Sequence, residues 1–328
     1  MSSKDLYLEY FILDVFTQRR LEGNQLAVVM NPGSLSDETM QAIARETNLS
    51  ETTFVERRPQ EVEQREGVRV RIFTTEEELP FAGHPTLGTA SLLKAIAPEC
   101  VVDNTVTLAL NVGPIPVRFE PQQTSESAWP VRGEMTQRDP EFGEILDKSE
   151  VAALTGLSEE AFDPSLPIQI VSTGTAFAIV PLSSSTELAA LNVRHAEASA
   201  FLRARGARWF YVLGPTASAD NTKPAEGPAW RARMQFNGGE DPATGSAAGC
   251  AISYLVHWNA APSGKTIHLR QGVEIKRPSD IYFSATFSAA FPETREDNPD
   301  FVPSNGKVSN VRVGGSTILV AKGHLFLP

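Results

Sequence analysis

Two titratable side chains of this chain stand among small and apolar neighbours, where a charge needs a reason. Glu51 lies in "ETNLSETTFV", and His84 lies in "ELPFAGHPTLGTA". The residues after Glu51, which are Thr52, Thr53 and Phe54, should exclude part of the water around its carboxylate. A partly desolvated carboxylate is suited to take a proton from a substrate and to return it. The two stretches therefore suggest proton transfer.

Each candidate also has an ordinary structural explanation. Most glutamates are solvated, and Glu51 can be a solvated acid at the end of a strand. His84 stands beside Pro85 at a helix start, where it can cap or pack, since Pro is common in the first turn of every kind of helix. Asp241, which precedes "PATG", stands where an ordinary helix cap stands. Residue types alone leave the choice between proton transfer and packing open.

An internal repeat connects two of these residues. "HPTLGTA" (84–90) aligns with "DPATGSA" (241–247), so that the Pro, the Gly, the hydroxyl residue and the Ala coincide. Each copy follows a strand with arginines, "VRVRIF" or "WRARMQF". The match predicts two duplicated strand–loop–helix units with His84 and Asp241 at equivalent positions. A chance match of small residues is the alternative.

The two predicted helix starts are also candidate anion sites. A helix N-terminus offers unpaired backbone N–H groups and the positive end of the helix dipole. Gly83, Gly88, Gly245 and Ser246 leave the backbone accessible there. Two such starts around one cleft would hold a small molecule that carries a carboxylate. The alternative is that the glycines only let a helix pass close to neighbouring strands.

The elements that must position these residues are mostly strands. In the first half we predict strands at "EYFILDVF", "QLAVVM", "TTFVE", "VRVRIFT", "TVTLAL" and "IPVRFE". Helices are predicted there at "SLSDETMQAIARETN" and "HPTLGTASLLKAIAP". After a predicted linker, "PQQTSESAWPVRG", the second half is again strand-rich around one long apolar helix, "ATGSAAGCAISYLVHW". An alternating α/β fold would need a helix after nearly every strand. We therefore predict an α+β fold with domains at 1–125 and 126–328, in which the C-terminal strand can complete the first domain.

Composition narrows the class of protein. The chain has 328 residues, of which 41% are hydrophobic, and its net charge is −11. Such a charge argues against nucleic-acid and anionic-membrane partners. No leader or long apolar run is evident, so we expect a cytoplasmic protein. Cys100 and Cys250 cannot build a disulfide framework, and no Cys/His cluster has zinc-ligand spacing, so we expect no metal site.

Seven motifs span nearly the whole chain: "DVFTQRRLEGNQLAVV" (14–29), "LSETTFV" (49–55), "RIFTTEEELPFAGHPTLGTA" (71–90), "STGTAFAIVPL" (172–182), "GEDPATGSAAG" (239–249), "QGVEIKRPS" (271–279) and "VRVGGSTILVAKG" (311–323). On these motifs the chain resembles the phenazine-biosynthesis isomerase (PhzF) family. That family shares the diaminopimelate epimerase-like fold, in which two pseudo-symmetric domains, each a β-barrel around a central α-helix, flank an active-site cleft.

The resemblance implies a site and a reaction. Glu51 would transfer the proton, and His84 and Asp241 would complete the catalytic set. The substrate-binding residues would be Ser50, Gly83, Gly245 and Ser246. The family implies an isomerase of small carboxylate-bearing molecules that needs no cofactor and forms a homodimer. Its best-known reaction isomerises dihydro-3-hydroxyanthranilate.

Several alternatives stay open at this point. Thr75 stands where the family tends to have Pro, and the loop at 214–229 is long, so the cleft mouth can differ. An epimerase or racemase of a small amino acid and a non-catalytic binding protein are the other candidate functions. If His84 must give a proton to the substrate, it should contribute an alkaline limb to the pH dependence of catalysis.

Overall fold

The computed structural model describes residues 7–120, 128–216, 229–289 and 306–327. The chain divides into two compact units. Unit 1 is Met1–Met135, Arg277–Ser279 and Gly314–Pro328, and unit 2 is Thr136–Lys276 and Asp280–Val313. The domain boundary predicted between residues 125 and 126 stays a prediction, because 121–127 lie outside the described residues, as does most of the predicted long loop, at 217–228.

The elements follow in chain order. The strands are β1 (Tyr7–Val15), β2 (Asn24–Met30), β3 (Thr52–Glu56), β4 (Val68–Phe73), β5 (Glu78–Leu79), β6 (Thr105–Leu110), β7 (Gly113–Phe119), β8 (Val131–Thr136), β9 (Glu141–Leu146), β10 (Ile168–Ser172), β11 (Ala176–Pro181), β12 (Trp209–Pro215), β13 (Trp230–Arg233), β14 (Gln235–Phe236), β15 (Gly239–Glu240), β16 (Ile267–Gln271), β17 (Ser279–Ala289) and β18 (Gly306–Phe326). The α-helices are α1 (Asp37–Thr47), α2 (Gln60–Glu66), α3 (Gly83–Ile96), α4 (Lys148–Thr155), α5 (His195–Arg203) and α6 (Gly245–His257). Short 3₁₀ helices lie at Pro98–Cys100, Glu159–Ala161 and Ser185–Ala190.

The strands of unit 1 close into a barrel. Their order is β1-β2-β3-β4-β6-β7-β8-β18, and β18 pairs back onto β1, so eight strands complete the ring. The closing pair is antiparallel and runs from Tyr7 opposite Phe326 to Val15 opposite Thr317. Closure removes the open sheet edges that would otherwise need protection.

Helix α3 forms the core of this barrel. Every residue from Gly83 to Leu93 is buried, and the helix packs against β1, β2, β3, β6 and β7. Gly88 faces the barrel wall, where an added Cβ would lie 2.6 Å from Leu26 Cδ2 and 2.8 Å from Val15 Cγ2. This glycine therefore has the packing role that was its alternative explanation, since it lets the helix approach the strands closely.

Unit 2 has its own sheet and its own buried helix. Its strands are ordered β17-β16-β13-β12-β11-β10-β9, with parallel pairs at β11–β12 and β13–β16. Helix α6 is buried at Gly245 and from Ala247 to Val256, and it packs against β10 and β11. A core that includes Val151, Leu202 and Phe210 lies between the sheet and the helices α4 and α5. The predicted α+β class, with one buried helix in each half, is confirmed.

The duplicated feature is visible in the structure as a two-strand frame before each long helix. In each unit an arginine makes a bidentate pair with the glutamate seven residues later. The glutamate lies on the adjacent strand, where it is paired with the residue two positions after the arginine. The pairs are Arg71 with Glu78, where Phe73 faces Glu78, and Arg233 with Glu240, where Gln235 faces Glu240.

Most predicted elements are present, and one prediction is wrong. The segment read as a linker continues into β8, which starts at Val131. Val131, Gly133 and Met135 are buried while their neighbours are more exposed, so the strand has the alternation of a half-buried sheet. Within the described residues, no helix combines the length and the apolar composition that a membrane crossing requires.

Candidate active site

Glu51 lies between the end of α1 and the start of β3. Asn48 adopts a left-handed conformation that ends α1, and three residues later the chain reaches Glu51. The next residue, Thr52, begins β3 in the barrel wall, where its hydroxyl lies 2.8 Å from that of Thr47. The Glu51 side chain is only 15% exposed. The alternative of a fully solvated strand-end acid therefore does not fit.

His84 lies in the first turn of α3, inside the barrel. Its side chain is 6% exposed, and the side-chain nitrogen of Asn24 lies 3.2 Å from its Nδ1. Burial lowers the pKa of His84 to about 3, and a hydrogen bond with the backbone of Gln25 raises it by a smaller amount. The ring is therefore neutral near pH 7. The lowered pKa argues against the expected alkaline limb from loss of a His84 proton, which stays a prediction for a pH–rate profile to test.

The structure brings Glu51 and His84 together. Glu51 Oε2 lies 3.4 Å from His84 Nε2, and this Nε2 is buried and has no hydrogen-bond partner among the described residues. In the tautomer in which Nδ1 accepts from the Asn24 amide nitrogen, the neutral ring carries its proton on Nε2. A carboxylate and a neutral N–H donor then share one desolvated corner. Such a corner can accept a proton at one atom and donate a hydrogen bond from the other.

Asp241 belongs to unit 2 and lies before α6. Its Oδ2 accepts a hydrogen bond of 2.7 Å from Thr244 Oγ1. Its backbone N–H donates to Met234, and its backbone oxygen accepts from Gln271 Nε2 at 2.8 Å. Asp241 does not serve as the N-cap of α6, which is Thr244. The helix-cap explanation for this aspartate therefore fails.

The remaining predicted residues occupy the two helix starts and the approach to Glu51. Ser50 is exposed directly before Glu51. Gly83 opens α3, while Gly245 and Ser246 open α6. In contrast to α1, where Ser36 accepts from the Thr39 N–H, neither of these helices has a side-chain cap. Uncapped starts leave backbone N–H groups for an anion.

Sequence reasoning missed the residues that hold the candidates in place. Asn24 contacts His84, and the side chains of Thr244, Gln271 and Tyr211 support the Asp241 segment. Asn24 lies in "LEGNQLAVV" and Gln271 in "QGVEIKRPS", so both stood inside motifs that carry the family resemblance. Neither is titratable, and a search for acid–base groups passes over them.

Groups that could provide other chemistry are sparse in the described part of the chain. No cluster of three or more His, Cys, Asp and Glu side chains there is arranged to hold a metal ion. Burial raises the pKa of Cys100 and of Cys250 to about 11 each. Both thiols are therefore protonated near pH 7 and are poor proton acceptors.

Comparisons with known proteins identify the family of the chain. The model of the PhzC-PhzF family, described as phenazine biosynthesis-like protein, matches residues 13–323. A trans-2,3-dihydro-3-hydroxyanthranilate isomerase of Pseudomonas aeruginosa is 33% identical over 321 residues, which are 97% of this chain and 99% of the relative.

Two solved structures are also similar. A predicted epimerase from Pseudomonas aeruginosa is 30% identical with a TM-score of 0.75, covering 98% of this chain and 100% of that chain. A hydroxyproline epimerase from Agrobacterium vitis is 10% identical with a TM-score of 0.59, covering 100% and 94%, and shares the fold alone. From the family match and the relative of 33% identity, the chain belongs to the PhzC-PhzF family of phenazine biosynthesis-like proteins and is a PhzF-like isomerase.

Proposed function

We propose that Glu51 is the proton-transferring base of this isomerase and that its substrate is a small cyclic amino or hydroxy acid. The observation that carries the proposal is the buried pair in unit 1, in which Glu51 Oε2 lies 3.4 Å from His84 Nε2. Glutamate is a common general base, and a neutral imidazole beside it can donate a hydrogen bond without competing for the proton.

The reaction is a proton shift with no net gain or loss of atoms. The Glu51 carboxylate takes a proton from a carbon next to an unsaturated system, and the electron pair of the broken C–H bond enters that system. The resulting carboxylic acid returns the proton to another carbon on the same face. His84 donates from Nε2 to a polar substrate group where negative charge develops. The chain supplies both groups, so the proposed reaction needs no cofactor.

Binding of the substrate is assigned to the helix starts. The uncapped N-terminus of α3 at Gly83 and that of α6 at Gly245 and Ser246 suit a carboxylate. Asp241 would hold an amine or hydroxyl, and Ser50 would assist beside Glu51. The proposed first substrate is trans-2,3-dihydro-3-hydroxyanthranilate, because the relative of 33% identity is named for its isomerisation.

The same family supports a homodimeric, cytoplasmic enzyme as part of the proposal. The molecular mass in solution, measured by light scattering as the protein elutes from a size-exclusion column, would test the dimer. A mass near 35.6 kDa, that of one chain, would contradict it.

A two-thiol epimerase does not fit the chemistry of this chain. Cys250 lies buried within α6, Cys100 lies in a 3₁₀ helix of unit 1, and the raised pKa of each thiol disfavours a thiolate. An epimerase or racemase that uses Glu51 with a second acid can be distinguished from the proposed isomerase by experiment, because it would abolish the optical activity of a chiral substrate. A non-catalytic binding protein would bind the ligand without exchange of its protons.

Deuterium exchange tests the proposal directly. The wild type should incorporate deuterium from heavy water into trans-2,3-dihydro-3-hydroxyanthranilate, as followed by proton NMR. Glu51→Gln, which keeps the shape of the side chain but removes the base, should stop incorporation while ligand binding persists. Equal incorporation by both proteins would contradict the role of Glu51. Binding by the wild type with neither isomerisation nor incorporation would support the binding protein instead.

A further inference from the structure

A buried chain of hydrogen bonds in unit 2 ends at Asp241. Gln271, at the end of β16, is completely buried and makes four hydrogen bonds through its side-chain amide. Its Oε1 accepts from Tyr211 Oη at 2.9 Å and from the Thr244 backbone N–H at 3.2 Å. Its Nε2 donates to the Asp241 backbone oxygen at 2.8 Å and to Thr244 Oγ1 at 2.9 Å. The amide therefore uses both donors and two acceptor positions.

The backbone partners fix which way this amide points. A backbone N–H can only donate, so Oε1 of Gln271 must face Thr244. A backbone carbonyl can only accept, so Nε2 must face Asp241. The orientation of the amide thus follows from its partners, although hydrogen atoms are not observed.

The direction of donation continues to the carboxylate. Thr244 Oγ1 accepts from Gln271 Nε2, which leaves its own hydroxyl proton for Asp241 Oδ2 at 2.7 Å. At the other end, burial raises the pKa of Tyr211 far above its ordinary value, so this hydroxyl keeps its proton and stays a donor to Gln271. Chains in which each bond polarises the next hold their last acceptor firmly.

We propose that Gln271 and Thr244 are positioning residues that fix the Asp241 carboxylate for binding of the substrate. The inference rests on the proposed function, in which Asp241 holds an amine or hydroxyl of the substrate. Gln271 acts through the backbone of Asp241 and through Thr244, and Thr244 acts on the carboxylate itself. Neither residue is assigned contact with the reacting atoms.

Thr244 offers matched variants for the test. Thr244→Val keeps the branched shape and the backbone N–H but removes the hydroxyl, whereas Thr244→Ser keeps the hydroxyl. With trans-2,3-dihydro-3-hydroxyanthranilate, Thr244→Val should lower kcat/KM by about 10- to 100-fold, the range for a lost hydrogen bond to a charged group, mainly through a higher KM. Thr244→Ser should restore kcat/KM to within about threefold of the wild type, since it restores that bond.

A double-mutant cycle distinguishes positioning from a general structural role. In an Asp241→Asn background, Thr244→Val should cost less than about threefold further in kcat/KM, because its effect passes through the carboxylate. The full loss in that background would overturn the proposal. Gln271→Glu, which puts an acceptor against the Asp241 carbonyl, should lose at least as much kcat/KM as Thr244→Val, provided that it folds.

A measurement without substrate separates this inference from the proposed function. The wild type, Thr244→Val, Asp241→Asn and the double variant would be unfolded in urea. The effects of the two substitutions on the unfolding equilibrium constant should deviate from additivity by about threefold or more. Additive effects would overturn the positioning. If the cycle shows this coupling but the wild type does not turn over the substrate, the proposed reaction is contradicted and the positioning stays supported.

Discussion

The two units build the same frame before their long helices, yet the titratable residue that follows is placed differently. In unit 1, five residues separate Glu78 from His84, and in unit 2 Asp241 follows Glu240 directly. The extra stretch "LPFAG" (79–83) carries His84 into the first turn of α3. There the ring is buried in the barrel and held neutral. Asp241 instead stays ahead of α6.

This difference shows how one duplicated scaffold can provide two kinds of chemistry. In unit 1 the surroundings remove water and leave an uncharged donor beside a carboxylate. In unit 2 they supply hydrogen bonds that fix a carboxylate in place. Desolvation tunes protonation, whereas a network of donors fixes geometry. We therefore expect changes at Glu51 and His84 to affect proton transfer and changes at Asp241 to affect binding.

The largest expected effect separates these two roles. Glu51→Gln should lower kcat by about 10²- to 10⁴-fold, because the general base is lost. Asp241→Asn should instead mainly raise KM, because one binding group is weakened. Steady-state kinetics of both variants with trans-2,3-dihydro-3-hydroxyanthranilate would measure the contrast. Similar losses of kcat in both variants would remove the distinction between the units.

The two Arg–Glu frames should differ in their contribution to stability. The side chains of Arg233 and Glu240 are 9% and 6% exposed, whereas those of Arg71 and Glu78 are 20% and 24% exposed. Glu240→Gln should lower the free energy of unfolding by about 3–5 kcal/mol, because it removes the closer, bidentate partner of a buried guanidinium and leaves the longer 4.0 Å contact with Glu274.

The matched change in unit 1, Glu78→Gln, should cost about 1 kcal/mol, since solvent screens the more exposed pair and Asp37 also contacts Arg71. Urea denaturation of the two variants would compare the costs. Equal costs would show that the exposure of the pair does not control its contribution.

The burial of His84 should make stability depend on pH. Its pKa in the folded protein, about 3, lies below the ordinary value of 6.5. Between these values the unfolded chain binds more protons, so the free energy of unfolding falls as the pH falls through this window. The contribution of His84 should be about 2 kcal/mol between pH 6.5 and pH 5.

Urea denaturation of the wild type and of His84→Gln at both pH values isolates this contribution. The variant should lose less stability on acidification, since it lacks the titrating ring. An identical pH dependence in the two proteins would contradict a buried neutral imidazole.

The smallest expected effect is on the alkaline side of the pH–rate profile. Because His84 is already neutral there, His84→Asn should lower kcat/KM without moving any alkaline limb. A profile of kcat/KM from pH 6 to pH 10 for both proteins would measure this. An alkaline limb that disappears in the variant would show that His84 titrates in the working enzyme.

Local sequence determined the elements and the identity of the candidates. The β-branched and aromatic runs of "TTFVE", "TVTLAL" and "IQIVS" coincide with β3, β6 and β10, because such residues fit a pleated, half-buried surface. The motifs likewise identified Glu51, His84 and Asp241. Strand β9, largely exposed at the end of the sheet order, lacked this signal, and the polar helix α2 lacked an apolar stripe.

Only the tertiary structure decided what the surroundings do to those candidates. Nothing near His84 in the chain predicts how far its pKa falls below 6.5, because the desolvation comes from a barrel that β1 and β18, from opposite ends of the chain, close together. The support for Asp241 likewise comes from Tyr211 and Gln271, which are 30 residues or more away in the chain. Residue type sets which proton a side chain can carry. Burial and hydrogen bonds, which depend on distant segments, set when it carries that proton and where it points.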